Sequence, residues 1–417
     1  MTARGAVART AWAAFGALAC GAVILGAESI GREPPAPATP PPLVTPAPDE
    51  TPAPQETPPP AVTSERSGKV LLAWATGAGL PPRTERILED LRGVAAVTLV
   101  DAGIDWLHAS FDADGSLLDR PSPPMAIPVE IASVNPADYA AFVPAGERDH
   151  VLTLGPRDVL LPETSAELRR ASPGSVLRLE PGRFTVSGIL SDAAAGGYEA
   201  VVSDAAPREW PSTETYALIR TKSPDLRSRV RKTITSLLEP GDQLQMRAEG
   251  ENPFLRYGDA VLPQLIVKSV FGEFAAAPRP DGFLDVDPAW KRRNVKTARV
   301  PLLGEVTCHR ALFPQLRRAL AQARAANLSF AVDPDDFGGC YSPRFINRNP
   351  AGRLSHHSWG IAVDVNVAAN AYGTKADQDP RLVRIMEAAG FTWGGRWVVP
   401  DGMHFEWSEF PGPDPKG

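Results

Sequence analysis

The sequence predicts an α+β protein built in four parts, and three observations carry that expectation. Short β-rich runs punctuated by Pro and Gly recur from residue 67 onward, one helix of clear 3.6-residue period stands in the C-terminal third, and a proline-dense segment separates both from an apolar N-terminal run. At 417 residues the chain exceeds one ordinary core, and length alone suggests two to three domains. The net charge of −6 comes without long runs of either sign, so there is no electrostatic footprint for nucleic acid, and that class of partner is set aside.

Arg4 and Arg9 precede a charge-free run from Ala11 to Ala27. Residues 1–30 are therefore expected to be a cytoplasmic tip and a transmembrane anchor, with a cleaved signal peptide and secretion as the alternative. The arginines lie before the span and few follow it, which places the bulk of the chain outside the cytoplasm. From Pro34 to Pro60 about every second residue is proline. No packed core forms from such a composition. Residues 31–66 are expected to be a disordered, stiff spacer with a reach of roughly 80 Å at about 3.1 Å per residue.

Residues 67–280 read as an α+β domain. Val70-Leu71-Leu72-Ala73-Trp74 suits a strand, Pro82 to Leu91 a helix, and Val97-Thr98-Leu99-Val100 a second strand. Val151-Leu152-Thr153-Leu154, Ser175 to Leu179 and Phe184 to Leu190 continue the β-rich pattern. No constellation of His, Cys and carboxylates appears before residue 290, and His108 and His150 read as isolated surface or core residues. The expectation is a binding or positioning module.

Residues 281–417 form the last part. Leu312, Leu316, Leu320 and Ala323 recur every three or four residues, with Pro314 in the first turn and Arg317, Arg318 and Arg324 off the stripe, which describes an ordinary core-packing helix. Cys308 and Cys340 can close a loop of about thirty residues, and an extracytoplasmic setting favours a disulfide between them.

The chemistry concentrates in two segments, Ser355-His356-His357-Ser358-Trp359-Gly360-Ile361-Ala362-Val363-Asp364 and Asp401-Gly402-Met403-His404-Phe405-Glu406. Together they offer three metal ligands and a spare carboxylate, the inventory of a catalytic zinc site that keeps one position open for water. Alternation from Ile361 to Val367 turns Ile361, Val363, Val365 and Val367 inward and presents Asp364 on the other face beside the small Ala362. His404 and Glu406 share one face of a second short strand, with Met403, Phe405 and Trp407 expected behind it. Asp401, at the turn before that strand, can reach a metal-bound water without occupying the metal. Either His356 or His357 can serve as the first ligand.

The pattern SxHxxGxAxD followed by DxxH resembles the VanY-like family of zinc D-alanyl-D-alanine carboxypeptidases and L-alanyl-D-glutamate endopeptidases, which cut peptidoglycan stem peptides. Gly339-Cys340-Tyr341-Ser342-Pro343-Arg344-Phe345 and Gly390-Phe391-Thr392-Trp393-Gly394-Gly395 add to the match. The resemblance implies a hedgehog/DD-peptidase-like fold and a Zn2+ ion held by His357, Asp364 and His404. It also implies Asp401 as general base and Arg344 as the cation near the substrate carbonyl or carboxylate. Glu406 is the reserve base, with orientation of His404 its better-supported role. In the middle part, Leu160 to Leu190 resembles the extracytoplasmic core domain of macrolide-exporter-type ABC permeases, which implies a membrane-protein partner. The implied function is a membrane-tethered, extracytoplasmic zinc peptidase of the cell wall. The alternative is a zinc-stabilised module that binds stem peptides, or a transporter or division-complex partner, without cutting.

Overall fold

The apolar run Val70–Ala75 is buried along its whole length because both faces of its strand are covered. Leu71, Ala73 and Ala75 pack with Leu88, Val230 and Ile234 on one side, while Leu72 and Trp74 pack with Tyr139, Val151 and Leu154 on the other. The computed structural model describes residues 69–410 apart from 78, 207–209, 211, 249–250 and 252–261, all within one compact unit. The expected membrane segment and proline-rich spacer lie outside the described residues. Among those described, no helix is long and apolar enough to cross a membrane.

The architecture is α+β, with several sheets. In the largest, of eleven strands, Val70–Ala75 lies between Leu244–Ala248 and Glu214–Thr221, followed outward by Val94–Leu107 and Ile127–Val134. Most of its pairings are antiparallel. Ile127–Val134 with Ala200–Ser203 and Asp158–Pro162 with Gly182–Leu190 are parallel. One expected β-run is helical instead: Val151 and Leu152 close the Arg148–Leu152 helix. Two apolar residues cannot distinguish a period of 2 from one of 3.6, and burial of Val151 against the sheet, with Leu152 left exposed, decided the matter.

The C-terminal elements surround a four-stranded sheet in the order Phe337–Gly339, Ala362–Val365, His404–Trp407, Phe391–Trp393. The helices Phe313–Ala325 and Pro380–Ala388 pack on it, the first through the stripe Phe313, Leu316, Ala319, Leu320 and Ala323. The same core takes in Val267, Phe271, Phe274 and Ala276, which precede residue 281. Phe271 meets Trp407 at 5.6 Å and His309 at 5.1 Å between ring centroids, and Phe274 meets Trp359 at 4.7 Å. Cys308 and Cys340 are joined by a disulfide, their Cα atoms 5.3 Å apart.

The helix Gln264–Phe271 ties the large sheet to this core. Its Lys268 ammonium lies 2.7 Å from Glu199 and 3.0 Å from Glu273, and the Arg169 guanidinium lies 2.9 and 3.0 Å from the same carboxylates. Two cations and two anions balance in a place where an unpaired charge would be very costly. Ala126 and Ala276 exchange both backbone hydrogen bonds, at 2.8 and 3.0 Å.

Candidate metal centre

Register places the first two candidate ligands. Ala362–Val365 and His404–Trp407 are adjacent antiparallel strands in which Asp364 is paired with His404 and Ala362 with Glu406. Side chains of paired residues project from the same face, so Asp364 and His404 meet. The strand stops sooner than the alternation suggests, at Val365, because Asn366 turns left-handed at φ 56°. Its amide donates to Ala331 O and Gln378 Oε1 there. The face that carries Ala362 and Asp364 is buried as well.

The third group arrives on a short 3-10 turn, His356–Ser358, capped by Ser355, whose Oγ accepts from the His357 amide at 3.3 Å. Gly360 follows at φ 70°, where a Cβ would stand 2.7 Å from the His309 nitrogen. Only glycine lets the turn lie this close to the preceding strand, and the His309 amide donates to its carbonyl at 2.9 Å.

His357 Nδ1 donates to the Cys340 carbonyl at 2.8 Å, which leaves the Nε2 lone pair facing Asp364 Oδ1 at 3.1 Å and His404 Nδ1 at 3.3 Å. His404 Nε2 faces Glu406 Oε2 at 3.4 Å, and its Nδ1 lies 3.1 Å from the same Asp364 oxygen. Two ring nitrogens and one carboxylate oxygen thus converge with mutual separations of 3.1 to 3.3 Å. A tetrahedron built on bonds of about 2.0–2.1 Å has edges of about 3.3 Å, so the donor set fits a zinc-sized ion. The far nitrogen of each ring is held by a carbonyl or carboxylate, as metal-ligating histidines require.

The electrostatics agree. Burial opposes charge on His404, yet the Asp364 and Glu406 carboxylates push its ring up to about 10, so Nδ1 favours a cation, proton or metal. Burial holds His357 below its ordinary value despite the nearby Asp364 carboxylate. Burial works against ionised Asp364 and Glu406, but the neighbouring imidazoles hold both well below the usual carboxylate range.

The remaining expected residues fall around this trio. Arg344 Nη2 lies 3.5 Å from Asp364 Oδ2, and the Arg344 backbone is pinned by Ser358, whose Oγ accepts from its amide at 3.0 Å and donates to its carbonyl at 3.1 Å. His356 is turned away from the trio, with Nδ1 2.8 Å from Glu406 Oε2. Asp401 borders the same cavity; its Oδ1 is buried without a hydrogen-bond partner among the described residues, and burial pushes its carboxyl up. Met403 does not pack behind the strand, because the strand begins at His404 and residue 403 still belongs to the turn; its side chain lines the cavity.

That cavity, of about 490 Å³, also has walls that the motifs do not signal. Trp397, 5.3 Å from the His404 ring, and Tyr372 come from loops, while Trp74, Glu130 and Gln264 come from the large sheet and its linking helix. Nothing in the composition around Trp74 or Glu130 marks them, since both lie in apolar strand runs that read as core.

Residues 348–407 match the model of a family described as D-alanyl-D-alanine carboxypeptidase, a span that contains His357, Asp364, Asp401 and His404 and leaves Arg344 just outside. Among solved structures, the chain is similar to the periplasmic region of MacB from Actinobacillus actinomycetemcomitans, at 11% identity and a TM-score of 0.30, over 43% of this chain and 89% of that one. No curated protein matches the chain.

Proposed function

We propose, on the premise that residues 348–407 carry a D-alanyl-D-alanine carboxypeptidase domain, that this chain is a zinc peptidase hydrolysing the stem peptides of peptidoglycan. The observation that carries the reading is the convergence of His357, Asp364 and His404 near a buried carboxylate oxygen of Asp401 that has no hydrogen-bond partner among the described residues. A non-catalytic binding module needs no such base. The hedgehog/DD-peptidase-like fold belongs to this proposal, as do an N-terminal anchor with a proline-rich spacer and a positioning role for the middle region toward a membrane-protein partner.

Zinc bound to the trio supplies Lewis acidity toward the scissile carbonyl and lowers the pKa of water to about 7. The protein's own residues do the rest. Asp401 Oδ1 accepts the proton of the attacking water and returns it to the leaving amine, a task helped by burial that brings its proton affinity closer to neutrality. Arg344 balances the second oxygen of Asp364 and directs positive charge toward the oxygen of the tetrahedral centre. Cys340 O and Glu406 hold the two imidazoles in the tautomers that expose their ligating nitrogens.

The test is to measure metal content of the purified full chain and incubate it with a stem peptide, with and without chelator, followed by mass analysis. Loss of one alanine identifies a carboxypeptidase, and release of a longer fragment an endopeptidase. An intact peptide in the presence of metal-loaded protein would overturn the peptidase reading.

A further inference from the structure

The cavity holds three arginines, and two are already committed: Arg344 faces Asp364, and Arg353 pairs with Glu214 of the large sheet. Arg348 differs. Among the described residues no carboxylate lies within ion-pair distance of it, and its guanidinium sits 4.9 Å from the centre of the Phe283 ring.

The backbone at this place is built at a cost. Asn347 and Arg348 are consecutive non-glycine residues in the left-handed region, at φ 53° and 55°, a conformation that survives only where the surroundings enforce it. The enforcement is visible. Gly282, itself at φ 80°, passes so close that a Cβ would stand 2.3 Å from the Arg348 carbonyl oxygen, and its carbonyl accepts from the Phe345 amide at 3.0 Å. The Arg348 amide closes the turn onto Phe345 O at 3.0 Å. Ring, turn and glycine together present a cation at the cavity wall.

The same cavity also exposes apolar surface. Of the seven large hydrophobic side chains exposed among the described residues, three line this cavity: Ile346, Tyr372 and Val399. A ligand matching both features carries a carboxylate and small apolar groups.

We infer that Arg348 is the anion anchor of the cavity, taking a free carboxylate of the substrate peptide while Arg344 stays with Asp364. The inference rests on the peptidase reading for the kind of substrate, and its test is separable from that reading. Two peptides ending in D-alanyl-D-alanine, one with a free carboxyl group and one amidated, are titrated into the metal-loaded full chain. Binding is followed by tryptophan fluorescence, since Trp397 lines the cavity, and turnover by mass analysis.

Wild type is expected to bind the free acid at least tenfold more tightly than the amide. Arg348→Asn, chosen because asparagine tolerates a positive φ, is expected to weaken binding of the acid by roughly tenfold to a hundredfold, the worth of a charge-assisted hydrogen bond. The amide and the metal content should be unmoved, the kinetic loss should fall mainly in KM, and Arg348→Lys should restore part of the preference. A variant that keeps the acid preference, or that loses acid and amide alike, overturns the assignment, as does a wild type without preference. If neither peptide is cut but the acid preference depends on Arg348, the anchor stands and the peptidase reading falls.

Discussion

Asp364 and His404 face each other in register across adjacent antiparallel strands, with Asp364 Oδ1 3.1 Å from His404 Nδ1 and Glu406 Oε2 3.4 Å behind the same ring. Two strands thus deliver a candidate ligand pair and the group placed to orient one of them. His404→Ala is expected to abolish stoichiometric metal binding. Glu406→Gln, which keeps the shape and weakens only the orientation, should cost about 10- to 100-fold in metal affinity. Competition with a chromogenic chelator measures both, and unchanged affinity in the Glu406 variant would remove its orienting role.

Asp401 is predicted to separate chemistry from metal binding. Asp401→Asn should retain zinc and lose roughly 10²- to 10⁴-fold in kcat, the span associated with a positioned general base. Full turnover in that variant would transfer the role of base to another group.

His309 links the C-terminal core to pH. Its Nδ1 accepts from the Ala311 amide at 3.2 Å and its Nε2 faces Phe271 O at 3.3 Å, so the neutral ring is satisfied on both sides. Burial lowers its pKa to about 4, with Arg310 acting in the same direction. Between pH 4 and 6.5 the unfolded chain binds the extra proton, so stability rises with pH over that window and is lost as pH falls through it, by up to about 3 kcal/mol. Urea unfolding across the window should show that slope, and His309→Asn, which can still cap the turn at Arg310–Leu312, should flatten it.

The Cys308–Cys340 bridge spans 32 residues, for which loop closure contributes about 3.5 kcal/mol. It also fixes the residue whose carbonyl orients His357. Reduction should therefore lower both the unfolding midpoint and the metal affinity; a loss of stability with metal affinity intact would confine the bridge to a purely structural role.

A fragment beginning at Asp281 omits Phe271 and Phe274, which fill the C-terminal core. It is expected to lack a cooperative thermal transition. In the full chain, Phe274→Ala should cost about 3–5 kcal/mol. A fragment from 281 that melts cooperatively would show that the core closes without them.

Much of the centre was legible before any coordinates. Spacing and alternation singled out Asp364, His404, Asp401 and the adjacent pair His356 and His357, because polar residues on a turn and two short strands leave a local signature within apolar runs. The choice between His356 and His357 was not local: it depended on which ring met the Cys340 carbonyl and which met Glu406. The helical state of Val151 and the early end of the strand at Val365 were likewise set by packing and by a left-handed Asn366.

By itself the sequence determined the α+β character, the candidate donor residues and the carboxylate near them in the chain, since each depends on residue type and short-range period. Tertiary structure alone decided that Trp74, Glu130 and Gln264 wall the same cavity, that Phe271 and Phe274 belong to the C-terminal core, and that Arg344 faces a carboxylate while Arg348, among the described residues, does not. Those relations join residues far apart in the chain or depend on which partner a flexible guanidinium finds, and neither a spacing nor a propensity records that.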